Sequence, residues 1–132
     1  MIAVPVNDKN IVMLDYLAVN TDLRSKGIGT FILNEVVRYY EGKKVFLACE
    51  TLDKNAKNSE QRQKRYSFYK KNGWKNTGLI TKGSSGEMYI LAFEPVYREE
   101  YIFAQEFACG KLLAKIGKLD AVYHEELDDF KK

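Results

Sequence analysis

Residues 23–30 read Leu-Arg-Ser-Lys-Gly-Ile-Gly-Thr, which sets two cations, Arg24 and Lys26, just ahead of two glycines, Gly27 and Gly29. Glycine has no Cβ, so the backbone N–H groups at 27 and 29 can come close to an anion. If a helix starts here, its first turn adds partial positive charge and unpaired donors. A diphosphate meets that description. The residues placed to hold it are Arg24, Ser25, Lys26, Gly27, Ile28, Gly29 and Thr30.

The flanking stretches supply the elements that such a loop needs. Residues 11–19 are apolar and β-prone on both faces, with Asp15 as the exception, which predicts a central strand. Behind the glycines, Ile32, Leu33, Val36, Val37 and Tyr40 recur at helical spacing. The unit is strand, loop, helix. Residues 1–6 read as a short strand returning through a turn at 7–10 to pair antiparallel with 11–19. After Gly42 comes a strand at 45–49 closed by Glu50, then a polar loop over 51–58. Ser59 is the expected N-cap of a helix that runs through Tyr69 to about residue 72, where Asn72-Gly73 stops it. Its cations Arg62, Lys64, Arg65, Lys70 and Lys71 form a mainly solvated face, some of it within reach of a ligand's phosphates.

Arg24-x-x-Gly27-x-Gly29 resembles the Gln/Arg-x-x-Gly-x-Gly/Ala signature of the GNAT acetyltransferases, whose loop holds the pyrophosphate of acetyl-CoA. Residues 65–74, Arg-Tyr-Ser-Phe-Tyr-Lys-Lys-Asn-Gly-Trp, are similar to that family's Phe-Tyr-x-x-x-Gly-Phe segment. The two motifs stand in the family's order, and the resemblance covers residues 12–74. It implies an α/β fold with a GNAT-like mixed central sheet flanked by helices. It also implies an N-terminally shortened chain, because relatives carry a first strand and one or two helices ahead of this hairpin. Arg62 stands where many relatives have asparagine.

The resemblance further implies acetyl-CoA as co-substrate, no metal, and transfer of the acetyl group to an amine of a small molecule or protein. Backbone groups at Leu17, Ala18 and Val19 would meet the pantetheine arm, and Tyr69 occupies the position that gives the leaving thiolate its proton. An amine resembling lysine must also lose a proton, at a cost of roughly 4.6 kcal/mol at pH 7. Asp15 and Glu50 are the carboxylates that could accept it. Each also has an ordinary reading: a solvent-facing strand acid for Asp15, a loop-entry residue for Glu50, and for Tyr69 an aromatic packed on the sheet. A CoA-binding or interaction module that has lost catalysis is the alternative of a different class. A dinucleotide-binding unit is a remoter one, with Glu50 near the place of a ribose-binding acid. Against it, the glycines follow a long polar turn and the third glycine position holds Ile32.

Further along, residues 74–80 and 87–93 read as two strands joined by a Gly- and Ser-containing hairpin, with Pro95 ending the second. Residues 97–119 turn helical, with Gly110 as a break and Tyr101, Ala104, Phe107 or Ala108, and Leu112 on one side. So many aromatics predict packing on the domain or on a second copy, and hence a homodimer with a contact in 97–112. His124 is expected at the surface.

The chain has 132 residues, 45% hydrophobic and 30% charged, enough for one domain, 1–132, with a single core. A formal charge of +3 suits a phosphate-bearing ligand and falls short of a nucleic-acid-binding composition. No apolar run is long enough to span a membrane and no signal peptide opens the sequence, so a cytoplasmic location is expected. Cys49 and Cys109 are too few for a disulfide framework or zinc site.

Overall fold

The computed structural model describes residues 2–6, 10–16, 27–83 and 86–132, with backbone alone for 2–6, 15 and 16. In chain order the elements are β1 (Ile2–Val6), β2 (Ile11–Tyr16), α1 (Ile28–Tyr39), β3 (Lys44–Glu50), α2 (Ser59–Lys71), β4 (Lys75–Lys82), β5 (Met88–Ala92), α3 (Arg98–Cys109), α4 (Lys111–Ile116) and β6 (Asp120–Tyr123). The strands form one six-stranded sheet in the order β1-β2-β3-β5-β4-β6. β1 lies at the edge, where Pro5 costs least because no further strand needs its missing N–H.

Only β2 and β3 pair in parallel, through the crossover made by α1, and the other pairs are antiparallel. A doubly wound dinucleotide-binding sheet is mostly parallel, so this mixed sheet removes that reading. What stands is the expected mixed α/β architecture with flanking helices.

Side-chain alternation splits the core into two layers. Val12, Leu14, Val45, Leu47, Cys49 and Leu91 face α1 and α2, where Leu33, Val36, Tyr66, Phe68 and Tyr69 meet them. Ile11, Met13, Phe46, Ile90 and Ala92 face the other way, onto Tyr101 and Ala104 of α3. Both faces of β2 and β3 are thus covered, which is why their sequences are almost continuously apolar.

Three expectations change. Asn58, not Ser59, occupies the N-cap of α2, and its side chain makes no capping bond. The buried side of the C-terminal helix stops at Tyr101 and Ala104, while Phe107, Ala108 and Leu112 are exposed. Gly110 does break the segment, at φ 86° and ψ 151°, a conformation suited to glycine. The third change is β6, which adds to β4 with Leu79↔Tyr123 to Lys82↔Asp120 in register.

Candidate active site

The N-terminus of α1 begins at Gly27, whose φ of 77° lies in the left-handed region that favours glycine. A Cβ built there would meet nothing within 4 Å among the described residues. The first intrahelical bond is Phe31 N–H to Gly27 O at 3.0 Å, which leaves the N–H groups of Ile28, Gly29 and Thr30 without helical acceptors. Among the described residues no side chain caps them, and the first turn holds no acid. Among the described residues these backbone donors meet no acceptor, and they stand beside the positive end of a helix dipole, the local chemistry that a diphosphate requires.

Gly29 does a different job. A Cβ on it would stand 3.1 Å from Phe68 Cζ, so here glycine lets α2 press its ring against the first turn of α1. The sequence presents the two glycines as equals. Leu17, Ala18, Val19, Arg24, Ser25 and Lys26 lie outside the described residues.

Next to this helix start, two strands part. The parallel register of β2 with β3 runs from Ile11↔Lys44 to Leu14↔Leu47. Asp15 and Tyr16 continue β2, and Ala48, Cys49 and Glu50 continue β3 with β5 as partner: Ala48↔Ile90, Cys49↔Tyr89, Glu50↔Met88. Among the described residues no ladder joins the two strand ends, so backbone groups between them are available to a ligand.

Tyr69 of α2 packs against the layer that holds Leu14, Leu47 and Cys49. Its ring packs edge-on to Phe68 at 5.5 Å and to Trp74 at 6.5 Å, and its hydroxyl makes no hydrogen bond with a described residue. Burial, reinforced by neighbouring Cys49 and only partly offset by Arg65, raises the phenol above its ordinary value near 10. The group stays protonated throughout the neutral range. Cys49 is buried, and burial with Glu50 nearby pushes its thiol up to about 11. It is a core thiol, not a nucleophile.

Glu50 is braced. Arg65 donates to its Oε1 at 2.6 Å, while Arg62 Nε and Asn58 Nδ2 stand 3.1 and 3.2 Å from Oε2. Arg62 also donates to Asn58 Oδ1 at 2.8 Å and to Thr51 O at 3.0 Å. The cluster ties the end of β3 to the first turns of α2. Arg62 and Arg65, read from sequence as part of a solvated face, are its anchors. Their i, i+3 spacing was the available signal, since it puts both on one side of α2. Asp15 continues β2 beside the opening, but its side chain lies outside the description.

Among the described residues no group of three or more His, Cys, Asp or Glu side chains is placed to hold a metal, and no helix is long and apolar enough to cross a membrane. No curated protein and no solved structure matches the chain significantly. The family profile for an acetyltransferase (GNAT) domain matches residues 1–76, a span that includes the glycine loop, the parting strands and Tyr69. With more than half of its length matched, the chain belongs to the GNAT acetyltransferase family.

Proposed function

We propose that this protein is an acetyl-CoA-dependent N-acetyltransferase acting on an amine of a small molecule or protein. The observation that supports the reading is the N-terminus of α1 at Gly27, which no side chain caps among the described residues and which the Gly29–Phe68 contact ties to α2, the helix of Tyr69. When bound, acetyl-CoA supplies an activated thioester carbonyl. N–H groups at Gly27, Ile28, Gly29 and Thr30, with Arg24, Ser25 and Lys26, hold its diphosphate. Leu17, Ala18 and Val19 offer backbone groups to the pantetheine arm and an N–H to the carbonyl oxygen.

The residues divide the proton work. Asp15 accepts the proton that the amine loses. Glu50 is the second carboxylate there, but both its oxygens are already engaged, so its role is to brace α2 and hold Arg65 beside Tyr69. As the new N–C bond forms and the C–S bond breaks, Tyr69 gives its hydroxyl proton to the departing sulfur and recovers one from solvent. The cytoplasm is the proposed location, which suits the free thiols Cys49 and Cys109.

Ligand binding tests the reading first. CoA at a hundredfold excess over Kd should stabilise the fold by about 2.7 kcal/mol. Gly27→Glu should abolish that shift, since it puts bulk and negative charge where the diphosphate approaches. A melting temperature that ignores saturating CoA would overturn the proposal. A CoA shift with no turnover on a panel of amines would reduce the chain to a CoA-binding module.

A further inference from the structure

Helix α4 lies between two glycines, Gly110 and Gly117, and turns its apolar residues outward. Its buried residue is Ala114, whereas Leu112, Leu113 and Ile116 are 71%, 61% and 66% exposed. At about 100° per residue, Leu112 and Ile116 each stand about 160° from Ala114, on the side away from the domain. Phe107, exposed near the end of α3, precedes them in the chain. Side chains this far out project from a surface instead of lining a groove in it. Apolar exposure clustered on one short helix marks an interaction site.

The charge carried by this segment has one sign. From Phe107 to Leu119 the sequence holds three lysines, Lys111, Lys115 and Lys118, and no acid. All three are exposed, and none makes an ion pair among the described residues. Around the helix Lys111 and Lys115 stand on the same side, about 60° and 100° from Ala114, at the border between the domain and the outward face. The acids that bracket the segment in the chain are Glu106, half-buried on α3, and Asp120, which Arg98 holds at 2.6 Å.

We propose that α4 docks on an anionic lipid bilayer, with Leu112, Leu113 and Ile116 entering the boundary between headgroups and acyl chains and the lysines meeting the lipid anions. A helix bound in this way lies in the plane of the interface, its apolar face in lipid and its cations at the border. Lysine suits that border, because its stem runs along apolar surface while the ammonium reaches the headgroups. Among the described residues no helix is long and apolar enough to cross a membrane, so α4 rests on the surface. So short an apolar face is a weak anchor alone, and the negative charge of the lipid supplies the rest. Other occupants fit less well. A second copy meeting α4 about a two-fold axis would set lysines against lysines. An acidic protein would need a groove shaped to the projecting side chains, whereas a fluid bilayer moulds itself to them.

Co-sedimentation of the whole chain with vesicles reads the outcome, using phosphatidylcholine alone and phosphatidylcholine in which phosphatidylserine makes up about a third of the lipid. Binding to the mixed vesicles should be at least about tenfold tighter, and the difference should shrink as salt rises. The double variant Leu112→Asp, Ile116→Asp should lose binding with an unchanged circular dichroism spectrum, because both side chains are exposed. The triple variant Lys111→Gln, Lys115→Gln, Lys118→Gln keeps the apolar face and should bind the mixed vesicles at least about tenfold more weakly. Leu112→Trp puts an indole at the contact, and its emission should move to shorter wavelength on those vesicles. Absence of binding overturns the proposal, as does equal binding to the two lipids, binding that survives either set of substitutions, or an emission that stays put. A chain that ignores vesicles but dimerises through Leu112 and Ile116 in sedimentation equilibrium overturns it in favour of a second copy.

Discussion

Phe68 of α2 lies so close to Gly29 of α1 that a Cβ on the glycine would stand 3.1 Å from the ring's Cζ. This contact joins the helix whose N-terminus is the proposed diphosphate site to the helix that carries Tyr69. It makes residue 29 a packing position as well as a loop position.

Gly29→Val should therefore destabilise the fold by about 2 kcal/mol, since branched carbons must displace a ring packed in the α1/α2 layer. Gly29→Ala should cost less, because one methyl needs a shift of a few tenths of an ångström and alanine gains up to about 1 kcal/mol in helix propensity. Phe68→Leu should relieve the valine variant in part. Chemical denaturation of the three variants checks the order, and valine tolerated at no cost would mean that the helices do not meet there.

Tyr69→Phe keeps the ring contacts to Phe68 and Trp74 and removes only the hydroxyl. Folding and CoA binding should survive. A thiolate with a pKa near 8.5 already leaves fairly well, and a phenol held above 10 is a reluctant donor, so kcat should fall by roughly tenfold to a hundredfold. Steady-state kinetics with a responsive amine measures it. Wild-type turnover would make Tyr69 a packing residue and solvent the proton source.

Cys49 predicts an alkaline limit to stability. Its folded value near 11 lies above the ordinary 9.0, so the unfolded chain ionises first as the pH rises. The contribution is fully present below pH 9 and is lost between pH 9 and 11, to the extent of about 2–3 kcal/mol. Tyr69, raised for the same reason, adds to the loss above pH 10. Urea unfolding at stepped pH should show this decline, and Cys49→Ala should flatten the part between pH 9 and 11. An equally steep decline in that variant would assign it to other groups.

At the acidic end the C-terminal segment controls stability. Burial alone would raise the Asp129 carboxyl, but Lys70 and the Asn76 N–H, at 2.8 Å, outweigh it and hold the group below the usual carboxylate range. Its contribution is present above pH 4 and is lost as the pH falls through and below that value. Asp129→Ala should cost about 1–2 kcal/mol at neutral pH and soften the acid-unfolding transition. Asp129→Asn, which keeps an acceptor for Asn76, should cost less. Thermal unfolding at pH 7 and pH 3.5 separates the two.

Much of the fold was legible because local patterns and tertiary needs agree. Alternating apolar residues at 11–14 and 45–49 could be read as strands, the spacing of Leu33, Val36 and Val37 as a helix face, and Gly110 as a break. The start of α1 at the glycines was equally local, since it depends on glycine at 27 and on the helical spacing behind it. The sequence could not distinguish Gly29 from Gly27, because only the fold brings Phe68 against one and leaves the other open. Nor could it show that Arg62 and Arg65 converge on Glu50: the pairing partners are separated by a loop, and their distance is set by how α2 lies on β3. Residues 120–123 were passed over because a four-residue strand has little pattern of its own. What makes it a strand is the free edge of β4, and that edge exists only once the rest of the sheet is built.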